Sequence, residues 1–296
     1  MLTIFTTAKP FHGHTGVIQR NALKSWTLLQ PSPQVILFGN EEGSAEVAAE
    51  LNLAHIADVE RSEFGTPLIS SMFHQAERLS SNPLLCYVNA DIMLTSRFIT
   101  ALRVICEALP RFVVTGQRTP LEVNGPWDFD RADWEGELHR HAAGAKLDIP
   151  QAMDYFAFPR GAFPDIPPFL VGRVRWDNWM IYSARRRGIP VVNATLDLPI
   201  FHQNHDYSHL AGGLRDCYTS PEGQRNQDLY GVPVHVCVVD STYELRNGRL
   251  RRALGGVYLR RHLYTFSVFH PHLAPLGWMV GAALSVYHSL RRRVMS

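Results

Sequence analysis

Apolar residues along the chain fall into short runs separated by polar, glycine and proline breaks, and their spacing alternates between two periods. Residues 2–7 (LTIFTT) are a β-branched apolar run with the look of a buried first strand. From Gly16 to Leu29 the apolar positions Val17, Ala22, Leu23, Trp26 and Leu29 recur at helical spacing. VILFGN (35–40) reads as a strand, SAEVAAELNL (44–53) as a helix capped by Ser44, and HIADV (55–59) as a third strand. PLISSMFHQAERL (67–79) is a further helix, closed by the breaker Asn82-Pro83. LLCYVNADIML (84–94) is a strand-like apolar run interrupted by one polar triplet. Such alternation predicts an α/β fold, a mostly parallel sheet flanked by helices. The pattern continues with strands at 112–116, 153–159 and 189–194 and a helix at 176–188 ending at Gly188. Residues 118–150 are rich in Pro, Gly and Trp and read as a long functional loop with a helical piece near 133–143. Beyond about residue 210 the periodicity weakens, which divides the chain into a domain over 1–210 and a helical, basic C-terminal extension over 211–296.

Composition places the chain among globular proteins: 296 residues, 46% apolar and 19% charged, which excludes disorder, fibres and polytopic membrane proteins. Charge sharpens the division. The net +2 splits into +9 over residues 246–296, which hold nine Arg and no Asp, Glu or Lys, and −7 over the rest. Within that tail, residues 273–290 are apolar and flanked by arginines, a stretch short for a span but suited to lying on an anionic membrane or packing on the domain. The arginines lack the interleaved aromatics of a nucleic-acid surface, so no nucleic-acid partner is expected. Four scattered cysteines without a CxxC pair and the absence of a basic leader point to a cytoplasmic protein, peripheral on the inner membrane face.

Three constellations carry chemistry. Asn89-Ala90-Asp91 ends an apolar strand, and a carboxylate at the carboxyl end of a strand either holds a divalent cation or caps the helix that follows. Asp177 stands at a helix start between Trp176 and Trp179, where apolar rings raise its pKa toward that of a general base; an N-cap is the alternative. Asp154, before the strand MDYFAFP, competes for that role. Trp176 and Trp179 offer flat faces for a sugar, or sit in the core. His202, His205 and His209 pack three imidazoles into eight residues, a plausible metal-ligating set with no HExxH signature.

The order TIFTT, GVIQRNALKSW, ILFGNEEG and YVNADIML resembles the nucleotide-sugar glycosyltransferases of the GT-A fold, over about residues 2–210. In that superfamily the sugar-nucleotide half ends at a DxD-type motif, and Asn89-Ala90-Asp91 stands where DxD stands, with Asn in place of the first acid. The resemblance implies a donor site of Thr6, Thr7, Lys9, Gly39, Asn40, Glu41, Asn89 and Asp91 for a UDP- or GDP-linked sugar. It implies Mn²⁺ or Mg²⁺ on Asp91 with His202 or His205, and Asp177 as the base in an inverting transfer. It also places Arg160, in the turn after MDYFAFP, with Trp176 and Trp179 near a glycan or lipid-linked acceptor. A nucleotidyltransferase on a related α/β fold, or a non-catalytic membrane-associated binding module, are the other classes the residues allow.

Overall fold

The computed structural model of the chain describes residues 2–205 and 215–273. His209 of the histidine string and the apolar tail from 274 onward lie outside the described residues. The first half runs β1 (Leu2–Thr7), α1 (Gly13–Thr27), β2 (Gln34–Phe38), α2 (Ser44–Glu50), β3 (Ala54–Ile56), α3 (Ile69–Leu79), β4 (Leu84–Val88), β5 (Ile92–Met93) and α4 (Ser96–Ala108). There follow β6 (Val113–Thr115), β7 (Arg118–Leu121), α5 (Trp134–His141), β8 (Tyr155–Pro159), α6 (Trp176–Arg186), β9 (Val191–Asn193) and β10 (Ile200–Gln203). The described remainder is α7 (Asp216–Thr219), α8 (Pro221–Tyr230), the hairpin β11 (Tyr243–Arg246) and β12 (Arg249–Arg252), then α9 (Gly256–Tyr264) and α10 (Phe266–Phe269).

Nine strands form one sheet in the order β12-β11-β9-β6-β8-β4-β1-β2-β3, and β5-β10-β7 form a second, smaller one. Neighbours are parallel except around β8, which runs antiparallel to β4 and β6, and at the terminal β11-β12 hairpin. The fold is therefore α/β with a mostly parallel sheet, as expected. Both faces of the large sheet are covered, which is why its strands read as unbroken apolar runs. Ile4, Leu37, Cys86 and Val88 meet Trp26, Phe98 and Leu102 of α1 and α4 on one face. Phe5, Ile36, Leu85 and Tyr87 meet Met72, Phe73, Trp176 and Met180 of α3 and α6 on the other.

Three local readings change. The stretch 118–150 contains a strand, β7, which pairs with β10 in parallel and gives that segment an ordered edge. Residues 243–252 extend the large sheet beyond β9, so the chain past 210 also contributes strands. Ser44 does not cap α2: Gly43 takes that place at φ +84°, a left-handed turn, and the Ser44 hydroxyl is buried with no partner among the described residues.

Gly16 shows how tightly the first crossover is packed. A Cβ there would lie 2.6 Å from the backbone carbon and oxygen of Phe11. Gly16→Ala should cost about 2 kcal/mol of stability, read as a lowered denaturation midpoint. An unchanged midpoint would show that the turn before α1 yields freely.

Candidate active site

The carboxyl ends of β1, β4 and β10 and the starts of β8 and α6 open onto a cavity of about 490 Å³. Its wall includes Thr7, Lys9, Tyr87, Asp91, Arg118, Asp154, Arg173, Trp176, Asp177, His202 and His205. Side chains as far apart in the chain as Thr7 and His205 thus face one space.

Asp91 and the two histidines are joined by the small sheet. β10 pairs antiparallel with β5, setting His202 opposite Ile92, and the Gln203 N–H donates to the Asp91 carbonyl at 3.1 Å. Alternation along β10 sends His202 to the cavity and the wholly buried Gln203 inward. Gln203 donates its amide N–H to the carbonyls of Ile18 (2.8 Å) and Asp91 (3.2 Å) and accepts from Asn21 at 3.0 Å, fastening α1, the β4–β5 loop and β10 together. The result is Asp91 Oδ2 at 3.1 Å from His205 Nε2 and 3.6 Å from His202 Nε2. One ligand atom from each of the three lies within 4.8 Å of the other two. Burial opposes ionisation of Asp91, but the charge and hydrogen bonding of His202, then His205, outweigh it and hold the carboxyl well below the usual carboxylate range. Burial likewise disfavours a charged His202, and Asp91 with Asp154 beyond it outweighs that and raises the imidazole pKa. Asp91 does not cap the next helix; Thr95 stands at that position.

The donor set fits a divalent cation. Asp91 Oδ1 is buried with no partner among the described residues, while both imidazoles point at the neighbouring oxygen. One oxygen and two nitrogens suit Mn²⁺ or another first-row ion better than Mg²⁺, which takes mainly oxygen.

Asn89 is turned elsewhere. Its backbone N–H donates to the Asp154 carbonyl at 2.9 Å and its side-chain amide to Asp154 Oδ1 at 2.7 Å. Arg118 donates to Asp154 Oδ2 at 3.1 Å and to Asp148 Oδ2 at 2.8 Å. Both oxygens of Asp154 are therefore engaged, so the acid expected as a competitor base is a fixed anchor. The same contacts explain why the triplet begins with Asn: a carboxylate at 89 would face Asp154 where an amide now donates. Asn89→Asp should destabilise the fold by roughly 1–3 kcal/mol at pH 7.5. The deficit should shrink as pH falls and one carboxyl of the new pair takes a proton. A deficit independent of pH would contradict this reading.

Asp177 is the acid whose environment differs. It lies one residue inside α6, and the residue in the cap position is Arg175 at φ +84°, so Asp177 is not the N-cap. Its Oδ1 accepts the Asn178 N–H at 2.9 Å. Burial pushes its carboxyl up to about 7; the Asn178 hydrogen bond works against this and the charge of Asp154 adds to it. Such a group takes and releases a proton near neutral pH.

The remaining expected residues divide. Thr7 and Lys9 line the cavity; the buried Thr7 hydroxyl oxygen has no partner among the described residues, and the Gln19 side chain clamps the Lys9 backbone through its N–H (2.7 Å) and carbonyl (2.9 Å). Thr6 is buried behind them, donating to the Thr7 carbonyl at 3.2 Å. Gly39 adjoins Thr7 at φ +102°, and Glu41 accepts from Arg61 at 2.9 Å while its other oxygen is buried without a partner among the described residues. Asn40 is exposed, and none of residues 39–41 forms the cavity wall. Trp176 reaches the wall, edge-on to Tyr87 and Phe156 at centroid distances of 5.0 and 5.6 Å.

Two acceptor expectations are corrected. Trp179 is half-buried and packs on Phe163 and Phe169 at the edge of the core, away from the cavity wall. Arg160 follows the carboxyl end of β8 and binds the carbonyls of Asn82 and Ser80 before β4; because β8 is antiparallel to β4, this is the end of the sheet opposite the cavity. The sequence reading missed Arg118, Asp148 and Gln203, whose partners are remote in the chain. It also gave no role to Arg173, held at the cavity by Glu222 at 2.6 Å; that buried carboxylate accepts from Ser62 and Thr66 as well.

No protein-family model and no curated protein matches the chain. Among solved structures, residues 1–349 of S. aureus TarS share 8% identity over 42% of this chain and 37% of TarS 1–349, with a TM-score of 0.33. Thus the chain spans little more than a third of that structure. The M. tuberculosis glucosyl-3-phosphoglycerate synthase aligns over 79% of this chain and 82% of its own, at 11% identity and TM-score 0.45. The Pyrobaculum calidifontis mannosyltransferase PcManGT, solved with GDP-Man and Mn²⁺, aligns over 68% and 56%, at 14% identity and TM-score 0.43.

Proposed function

We propose that the protein transfers a sugar from a nucleoside-diphosphate donor to an acceptor hydroxyl, with inversion. The observation that carries the proposal is the meeting in one cavity of the Asp91, His202, His205 cluster and an acid, Asp177, whose proton exchanges near neutral pH. Asp91, His202 and His205 would hold the divalent ion, which supplies positive charge for the departing diphosphate. Thr7 and Lys9 on the adjoining wall would meet the donor's phosphates, with Gln19 keeping that loop in place. Asp177 accepts the acceptor's hydroxyl proton as that oxygen bonds to the anomeric carbon and the bond from that carbon to the diphosphate breaks. The diphosphate leaves with the electron pair, and the proton stays on the Asp177 carboxyl. Asn89 and Arg118 keep Asp154 out of this exchange by engaging both its oxygens, and the charge of Asp154 helps to keep Asp177 basic.

A panel of UDP- and GDP-sugars with Mn²⁺ tests the reading. At least one donor should raise the melting temperature and be slowly hydrolysed, and its product should have the opposite anomeric configuration by NMR. No shift and no hydrolysis across the panel would remove the glycosyl-transfer reading. A retained configuration would remove Asp177 as the base of a single displacement.

A further inference from the structure

Helix α9 is built inside out. Apart from the exposed Arg260, its polar side chains face the domain: Tyr258 accepts from Asn193 at 2.8 Å, Arg261 donates to Asp240 at 2.9 Å, and His262 meets the Ser241 carbonyl at 2.9 Å. Its aliphatic and aromatic side chains face outward instead, with Val257 60%, Leu259 53%, Leu263 38% and Tyr264 63% exposed, and Leu254 just before it 71%. A surface helix ordinarily has the reverse arrangement, and an exposed apolar stripe of this kind marks a contact surface. Around it stand Arg249, Arg251, Arg252 and Arg260, all exposed and in no ion pair among the described residues.

From this pairing of an outward apolar stripe with unneutralised arginines we infer that α9 and the preceding strand form a docking face for an anionic phospholipid surface. The charge selects the occupant. A second copy would set one arginine cluster against another, and nucleic acid would leave the aliphatic stripe in water. A lipid headgroup layer satisfies both, taking the guanidinium groups at its phosphates and the stripe at the acyl boundary. No described helix is long and apolar enough to cross a membrane. This inference does not depend on the chemistry of the cavity.

Vesicle flotation of the full chain tests it, with vesicles of about 30 mol% phosphatidylserine against pure phosphatidylcholine, near 0.1 M salt. The chain should float with the anionic vesicles and not with the zwitterionic ones. Val257→Ser/Leu263→Ser and Arg249→Gln/Arg251→Gln/Arg252→Gln should each lower partitioning at least about tenfold while the melting temperature stays unchanged. If the double variant melts early, Val257→Ser alone should still lower partitioning. The inference is overturned if the chain does not float, if the variants float as it does, or if light scattering shows a dimer that the apolar variant splits while flotation is unchanged.

Discussion

Asp91→Asn should lower donor turnover by about 10³-fold or more, a barrier increase of roughly 4 kcal/mol. The substitution keeps the size of the side chain and removes the only carboxylate in the three-residue cluster. An amide oxygen binds a divalent ion far less well, and two neutral imidazoles alone do not replace the lost charge. The loss should therefore appear also as a weakened Mn²⁺ affinity, measured by titration without any donor present. The metal-free protein carries a second signature. Asp91 is held below its ordinary value, so its contribution to stability is present above about pH 4 and is lost as pH falls further. His202 is raised, so its contribution is present below about pH 6.5 and is lost as pH rises through its folded value. The pair should give a stability maximum in the mildly acidic window between the two, and Asp91→Asn should flatten it. A variant that binds Mn²⁺ like the parent would dismiss the cluster as the metal site.

Asp177→Asn should lower turnover by about 10²- to 10⁴-fold, the usual contribution of a positioned general base. Its diagnostic feature is the opposite sign of its effects on rate and stability. The folded protein holds Asp177 up at about 7, above its unfolded value near 4, so the unfolded chain releases this proton first. The group's stability contribution is thus complete below about pH 4 and is lost as pH rises through about 7. Removing the ionisable group should stabilise the protein at pH 8 by about 4 kcal/mol and leave it nearly unchanged at pH 4. The parent's kcat/KM should rise with pH and level off above about 7, where the carboxylate is free to accept a proton. In Asp177→Asn the residual rate should lose that inflection. Unchanged activity with a normal inflection would assign the base to another group.

The order of strands and helices through β4 was legible because covered parallel strands leave continuous apolar runs and their crossovers leave helical spacing. Reversal of β8 left no such mark: MDYFAFP has the same apolar character whichever way it enters the sheet. That reversal is also what sends Arg160 to the far end, so one unreadable strand direction misplaced one acceptor residue. The short strand β7 was hidden in a Pro-, Gly- and Trp-rich stretch, and Arg118 was hidden with it. Asp91 and the histidine string stood out because polar groups interrupt or follow apolar strands, although nothing local says that 114 positions close to 3.1 Å. Gln203 needed the fold to be noticed, since its three partners lie on α1 and in the β4–β5 loop. Trp176 and Trp179 are three residues apart on one helix, and only packing separates the one that reaches the cavity from the half-buried one that lies on Phe163 and Phe169.

Release of nucleoside diphosphate from a bound nucleotide sugar tests the central claim most directly, followed with and without Mn²⁺ in the parent, Asp91→Asn and Asp177→Asn. Metal-stimulated release is predicted in the parent. Asp91→Asn should abolish the stimulation, and Asp177→Asn should bind the donor with near-normal affinity yet turn it over slowly. Release that is equally fast in all three proteins, or absent from a folded parent with every donor, would contradict the account.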